Sequence, residues 1–113
     1  MRTFSRIAMP LLAAWAMAGV PGVASAASID ANTVAIDNFT FSPATLTVKA
    51  GARVTWVNHD NEPHTVTSQS NPKEFASSAL DTGDTFTRTF DKPGTYAYYC
   101  AIHPHMTGVI VVK

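Results

Sequence analysis

The chain has 113 residues, one cysteine, and eight basic against eight acidic side chains, and only 14% of its residues are charged. This length fits one small domain rather than a multidomain enzyme. The charges form no basic cluster of the kind that nucleic-acid binding requires, so no nucleic-acid partner is expected.

The first 26 residues have the pattern of a secretory signal peptide. Positive charge in residues 1–6 precedes an apolar run at 7–20, and Ala24-Ser25-Ala26 matches a cleavage site of the A-x-A type. The run is shorter than the roughly 20 residues that span a bilayer, and an uncleaved membrane anchor is the alternative interpretation. We therefore expect a signal peptide at 1–26, a single domain at 27–113, and a periplasmic protein without stable membrane insertion after cleavage.

The chain after the signal peptide has the composition of strands and turns, because Thr, Val, Tyr and Phe are frequent and no stretch shows helical periodicity. Strands are predicted, in chain order, at 33–37, 45–49, 53–58, 64–68, 85–90, 95–100 and 108–113, with a further short strand near 28–31. Turn sequences separate them, and 69–80 is predicted as a long loop or an irregular helical turn. About eight short strands predict an all-β fold, namely a two-sheet Greek-key β-sandwich.

The alternation of side chains along the predicted strands indicates which of them share the interior. Tyr98 and Cys100 fall on one face of their strand. Val66 points inward on another, and His64 points inward with it. A histidine and a cysteine are therefore expected to reach the same core from two strand ends. The closing run 109–112 is interpreted as a central strand that is buried on both faces.

Four side chains in this pattern could bind a metal ion. Cys100, His103 and Met106 follow one another at steps of three residues. Together with His64 they offer two imidazoles, a thiolate and a thioether, which is the ligand set of a blue-copper electron-transfer site. A mixed set of this kind suits both Cu(I) and Cu(II), so little has to move when an electron arrives. The sequence predicts one type 1 copper ion bound by His64, Cys100, His103 and Met106.

Other interpretations of these residues remain open. A lone cysteine can be an inert buried side chain, although in an exported domain it can also be a reactive or ligating group. Zinc accepts Cys and His ligands, but a thioether is an unusual zinc ligand and no second cysteine is present. A Cys–His pair for acyl transfer would need a substrate cleft and an orienting third group. No enzyme activity is expected.

Short motifs around the four residues resemble a known family. Pro63-His64 follows a polar loop, Gly94-Thr95-Tyr96 leads into Cys100, and His103-Pro104 and Met106 precede the last strand. In these motifs, which span essentially the whole chain after residue 26, the protein resembles the cupredoxins, or type 1 blue copper proteins, and among them the amicyanin and plastocyanin branch. The resemblance implies copper on the same four residues, an eight-stranded Greek-key sandwich, and one-electron shuttling between larger redox partners.

The chain also departs from this family at specific positions. Thr65 stands where the family often has an asparagine that ties the ligand loops together, and Ala101 stands where it often has a hydroxyl residue. We expect Thr65 to join the loops only weakly and the site to be less rigid than in other members. His105 replaces a Phe, and is either a solvated loop residue or a group that tunes docking or potential with pH. His59 is expected to be solvated, with an auxiliary metal contact as the alternative.

Taken together, these residues predict a soluble, monomeric electron carrier that docks transiently with redox partner proteins near His103. Its docking patch is expected to be small and apolar, as brief redox encounters require, and to consist of Ala101, Ile102, Pro104 and Met106. The alternative is a periplasmic copper-binding or delivery protein without an electron-carrier role. Delivery proteins favour exchangeable ligand sets, whereas three of the four residues here lie in one short loop.

Overall fold

A computed structural model describes residues 32–113, which form eight strands and no helix. The strands are β1 (Thr33–Asp37), β2 (Thr40–Ser42), β3 (Thr45–Val48), β4 (Ala52–Asn58), β5 (Thr67–Ser68), β6 (Thr85–Phe90), β7 (Gly94–Tyr99) and β8 (Thr107–Val112). The signal peptide predicted at 1–26 and the strand predicted near 28–31 lie outside the described residues. Within 32–113, no helix is long and apolar enough to cross a membrane.

The strands form two four-stranded sheets, in the orders β2-β1-β4-β6 and β3-β8-β7-β5. Each sheet contains one parallel pair, β1 with β4 and β3 with β8, while the other neighbours are antiparallel. The chain changes sheet at every connection from β2–β3 to β6–β7. The all-β, two-sheet sandwich that the sequence predicts is confirmed.

An aromatic cluster fills the middle of the sandwich, between the two sheets. We call it the aromatic centre, and it consists of Trp56, Phe75, Phe86, Phe90 and Tyr98. The Trp56 ring lies at its middle, with the other four ring centroids 5.4 to 6.4 Å away. Trp56 and Tyr98 are completely buried, because strand alternation turns both side chains inward.

The Tyr98 ring leaves room only for a glycine at the facing position of the neighbouring strand. Gly108 lies opposite Tyr98 in the β7–β8 pair, and a Cβ at Gly108 would overlap the Tyr98 ring. The Tyr98 hydroxyl and the Trp56 indole nitrogen are buried without a hydrogen-bond partner in the described part of the chain. Burial raises the pKa of Tyr98 to about 12, against a smaller opposing effect of the Trp56 indole.

The structure corrects the strand predicted at 64–68, because only Thr67–Ser68 pairs with β7. The Val66 carbonyl instead accepts the Ser77 N–H at 2.8 Å. The Val66 N–H donates to the Ser77 hydroxyl at 2.9 Å. His64 exchanges two backbone hydrogen bonds with Leu80, of 3.1 and 2.7 Å. The segment is therefore held by the loop at 69–80, which the structure shows as irregular and without a helical turn.

Two other strand predictions also need correction. The sequence does not predict strand β2, because Ser42-Pro43 resembles a turn and the strand is only three residues long. Strand β8 is central in its sheet, as expected, but it is buried on one face only. Ile110 and Val112 face the core, whereas Val109 and Val111 are half-buried.

The connections that carry the candidate ligands meet at one end of the sandwich. Strand β4 ends there at Asn58, and Asn58 N–H donates to Asp84 O at 3.0 Å. Strand β7 ends there at Tyr99 and β8 begins there at Thr107, opposite Tyr99 in the ladder. We call this the ligand-bearing end. Residues 58–64 and 100–106 are thus brought together although they are far apart in sequence.

Candidate metal centre

Three potential metal-binding atoms converge at the ligand-bearing end. They are Nδ1 of His64, Sγ of Cys100 and Nδ1 of His103, and all lie within 4.8 Å of one another. The sulfur lies 3.7 Å from the His64 nitrogen and 3.8 Å from the His103 nitrogen. Donors that bind one ion at about 2.0 to 2.3 Å in a trigonal plane are about 3.7 Å apart. The spacing of the three atoms therefore fits a single ion between them.

His64 is the buried member of the group. Its side chain is completely inaccessible, and the two backbone bonds to Leu80 fix its position in the chain. Its Nε2 lies 2.8 Å from Oδ2 of Asp60, on the opposite side of the ring from the atom that faces Cys100. An ionised carboxylate can only accept a hydrogen bond, so Nε2 carries the proton and Nδ1 presents its lone pair to the site.

Asp60 contacts the site although the sequence did not single it out. Burial alone would raise the pKa of its carboxyl group, but hydrogen bonds from the Phe39 and Asn38 N–H groups and from His64 leave that pKa below its ordinary value. Asp60 is therefore ionised at neutral pH. No local pattern marks it, because its partners come from the β1–β2 turn and from His64.

Cys100 directly follows β7 and is completely buried. The Thr65 N–H points at its sulfur, at 3.3 Å. The Cys100 N–H donates to Met106 O at 3.1 Å, and the Met106 N–H donates to His103 O at 2.9 Å. These two bonds close the loop at 100–106 into a compact turn that holds Cys100 and His103 near each other.

The expectation that Thr65 joins the ligand loops only weakly is wrong. Its hydroxyl accepts the Ala101 N–H at 2.7 Å and lies 2.9 Å from the Thr67 hydroxyl. Together with its N–H on the Cys100 sulfur, Thr65 links the two ligand-bearing segments through both its backbone and its side chain. Thr65 lies just before β5 and pairs with neither sheet, so both its N–H and its hydroxyl bond the segment that begins at Cys100.

Met106 occupies the last position of the loop and is 6% exposed. It belongs to the same buried cluster as Cys100. Its burial contradicts the expectation that it forms part of a surface docking patch. The loop turns Met106 inward because its backbone bonds both Cys100 and His103.

His103 is the half-buried member of the group, and an aromatic ring covers it. Phe39, in the β1–β2 turn, packs against the rings of both His64 and His103, with centroids 5.2 and 5.1 Å away and the planes nearly perpendicular. The two imidazoles themselves lie 4.9 Å apart. Phe39 is 46% exposed and Ile102 is 44% exposed. No sequence pattern identifies Phe39, since it lies in a two-residue turn that is distant in sequence from the ligands.

The two remaining histidines lie outside this group. His59 and His105 are both exposed, as the solvated interpretation of each requires. Neither belongs to a metal-binding group among residues 32–113, where the structure contains one such group.

The comparisons with known proteins agree with this geometry. A family model of the cupredoxin-like domain matches residues 8–112. The chain is 37% identical over 83 residues to amicyanin-alpha of Methylorubrum extorquens, which covers 71% of this chain and 70% of that protein. It is 34% identical over 84 residues to a chloroplastic plastocyanin of Tetradesmus obliquus, covering 65% of this chain and 58% of that protein. A purple cupredoxin from Nitrosopumilus maritimus superposes with a TM-score of 0.66 at 34% identity, covering 72% of this chain and 98% of that one.

Proposed function

This chain belongs to the cupredoxin-like family, and from that premise we propose that it is a soluble type 1 copper protein that carries single electrons between periplasmic redox partners. The observation that carries the proposal is the convergence of His64 Nδ1, Cys100 Sγ and His103 Nδ1 at the spacing of one ion. Bound copper would supply the one-electron chemistry, by alternating between Cu(I) and Cu(II).

The ligands in this proposal are His64, Cys100, His103 and Met106. Two imidazole nitrogens and a thiolate provide the strong donors, and the thioether of Met106 is the soft, weak fourth ligand of such sites. The protein residues hold the donors in place before the metal binds, since His64 and Cys100 are completely buried and hydrogen-bonded. A site that is already formed needs little rearrangement when its charge changes, and this favours rapid electron transfer.

The surface around His103 suits a transient contact with a redox partner. His103 is the only half-exposed member of the metal-binding group in the described chain. The apolar side chains beside it are Phe39 and Ile102, together with the exposed Ala101 and Pro104. A small apolar patch forms contacts that dissociate quickly, as an electron carrier requires. We propose this patch, without Met106, as the docking surface of a monomeric carrier.

The location of the protein is part of the same proposal. Residues 1–26 have the charge pattern and the small-residue site of a signal peptide, and we propose that their removal leaves the domain at 27–113 in the periplasm. We propose no catalytic reaction, because neither His59 nor His105 joins a second metal-binding group among residues 32–113 that could serve as a catalytic copper cluster.

The proposal is tested by adding Cu(II) to the purified protein that begins at residue 27. We expect one copper per chain, an intense visible band from the thiolate bond, and the narrow paramagnetic resonance splitting of a type 1 site. Cys100→Ser should abolish the band, whereas His59→Ala, the matched control, should leave it unchanged.

Voltammetry then separates electron transfer from copper delivery. A reversible one-electron wave with retained copper supports the carrier. Copper that leaves the reduced protein for a competing chelator would instead identify a delivery protein. If copper bound without producing the visible band, and bound Cys100→Ser as tightly as the wild type, the proposed site would be contradicted.

A further inference from the structure

One carboxylate at the ligand-bearing end receives three hydrogen bonds from two different elements. Oδ2 of Asp60 accepts from His64 Nε2 at 2.8 Å and from the Phe39 N–H at 2.9 Å, and Oδ1 accepts from the Asn38 N–H at 2.6 Å. The side chain of Asp60 is 11% exposed. It therefore lies between a buried candidate ligand and the β1–β2 turn.

The backbone of Asp60 is itself held by two hydrogen bonds. Its N–H donates to Asn58 Oδ1 at 2.9 Å, and its carbonyl accepts the Thr82 hydroxyl at 2.6 Å. Asn58 in turn donates through Nδ2 to the carbonyls of Glu62 and Leu80, each at 2.9 Å. None of these bonds involves a proposed copper ligand, so the position of the carboxylate is fixed by residues outside the ligand set.

The β1–β2 turn has a backbone conformation that needs such support. Asn38 and Phe39 have φ values of 55° and 58°, which lie in the left-handed region. This is the backbone of a two-residue hairpin turn with positive φ at both central residues. Asn tolerates the region, but a bulky residue such as Phe rarely adopts it. Asp60 accepts the N–H groups of both residues, and the result is that the Phe39 ring packs on both imidazoles.

We propose that Asp60 is a positioning residue that acts on both imidazole ligands. It selects the Nε2–H tautomer of His64, which directs Nδ1 toward the metal, and it holds the left-handed turn that places Phe39 against His64 and His103. This role rests on the proposed function only in treating the two histidines as copper ligands. The hydrogen bonds and the ring contacts that carry it are made entirely by residues of this chain.

The first test uses the metal-free protein at a pH high enough for its imidazoles to be neutral. Two-bond proton–nitrogen correlation spectra distinguish the two tautomers of His64. We expect the Nε2–H form alone in the wild type and a mixture of both forms in Asp60→Asn, because an amide can accept from or donate to the ring. Glu62→Gln is the matched control, since it removes a nearby exposed carboxylate that makes no side-chain hydrogen bond in the described residues.

The second measurement is amide hydrogen exchange at Asn38 and Phe39. We expect exchange of both N–H groups at least about tenfold faster in Asp60→Asn than in Glu62→Gln. Asp60→Glu keeps the charge on a longer side chain. Its His64 tautomer should be close to that of the wild type, whereas its protection of the Asn38 and Phe39 N–H groups should be only partly restored.

The third measurement uses the copper-loaded protein. Loss of a negative charge that is hydrogen-bonded to a ligand disfavours Cu(II), so the midpoint potential should rise in Asp60→Asn and change less in Glu62→Gln. A purely structural role for Asp60 would not produce a potential shift that follows the tautomer across the three variants.

The outcomes distinguish this proposal from the proposed function. A wild-type His64 in the Nδ1–H form overturns the positioning role without any variant, even if Asp60→Asn does not fold. An unchanged tautomer and unchanged amide exchange in a folded Asp60→Asn also overturn it. If the tautomer and exchange results are as expected but the protein forms no type 1 copper site, the positioning role stands and the proposed function fails.

Discussion

The aromatic centre and the ligand-bearing end of this molecule differ in how far their polar groups are hydrogen-bonded. In the centre, the Trp56 indole nitrogen and the Tyr98 hydroxyl have no hydrogen-bond partner among residues 32–113. At the ligand-bearing end, Asn58, Asp60 and Thr65 each make several side-chain hydrogen bonds. The centre therefore depends on the packing of rings, whereas the end depends on the directions of hydrogen bonds.

This difference separates stability from site geometry. Burial of large apolar area stabilises a fold without fixing the direction of any one atom, whereas hydrogen bonds add less free energy but fix donor positions. Substitutions in the aromatic centre should therefore change the free energy of unfolding with little effect on the copper spectrum. Substitutions at the ligand-bearing end should affect the spectrum and potential more than the stability.

The largest effect on stability is expected from Gly108→Ala. The added methyl group overlaps the Tyr98 ring, and overpacking of this kind costs about 1–3 kcal/mol. Urea unfolding of the metal-free protein measures the loss, with Thr107→Ala on the exposed neighbouring residue as the control. The copper spectrum of the folded variant should match that of the wild type. A change in stability below about 0.5 kcal/mol would show that the centre can relax around the methyl group.

Thr65→Val tests the ligand-bearing end. It removes the acceptor of the Ala101 N–H, and we expect a loss of about 1 kcal/mol in the free energy of unfolding. It should also shift the visible band and the potential, because Thr65 orients the loop that begins at Cys100. Thr65→Ser should restore both, and Thr47→Val on the exposed face of β3 should change neither. A stability loss without any spectral change would contradict the separation of the two regions.

Tyr98→Phe sharpens the comparison through pH. The folded-state pKa of Tyr98, about 12, exceeds its ordinary value of 10.0, so the unfolded chain loses this proton first as pH rises. The resulting stability is fully present below pH 10 and is lost between pH 10 and about 12. Phe removes an unpartnered hydroxyl, so stability at neutral pH should change little and the alkaline loss should be smaller. Identical alkaline unfolding of the wild type and Tyr98→Phe would contradict this account.

The smallest effect is expected from His105→Phe. His105 is exposed, and within the described residues its side chain makes no hydrogen bond or ring contact with the metal-binding group. The midpoint potential and its pH profile should therefore match those of the wild type in voltammetry from neutral to mildly acid pH. A clear difference in the profile would favour the alternative in which His105 tunes the site.

Much of the fold follows from local sequence because strand alternation and turn residues are local signals. Strands β1 and β6 have the predicted bounds, and β4, β7 and β8 differ from prediction by one residue at one or both ends. The strand predicted at 64–68 is wrong over most of its length. Its side chains alternate as expected, but the backbones of His64 and Val66 bond Leu80 and Ser77 instead of a strand. Alternation indicates where side chains point but not which backbone is the partner.

The candidate site shows the same limit. His64, Cys100 and His103 could be identified because their chemistry is specific and their spacing is regular, and the structure brings them together. Asp60 and Phe39 could not, because a carboxylate in a polar loop and a Phe in a turn have no distinctive local pattern. Their roles arise from contacts between segments that only the folded chain brings together.

The parallel pairing of β3 with β8 has a consequence for the order of assembly. Contacts between segments distant in sequence form slowly, because a long loop must close before they contribute free energy. A chain that emerges N-terminus first, from a ribosome or through a membrane pore, cannot complete this sheet until residues 107–112 have emerged. Metal loading should accordingly be a late event in the biogenesis of the protein, following the arrival of its final strand.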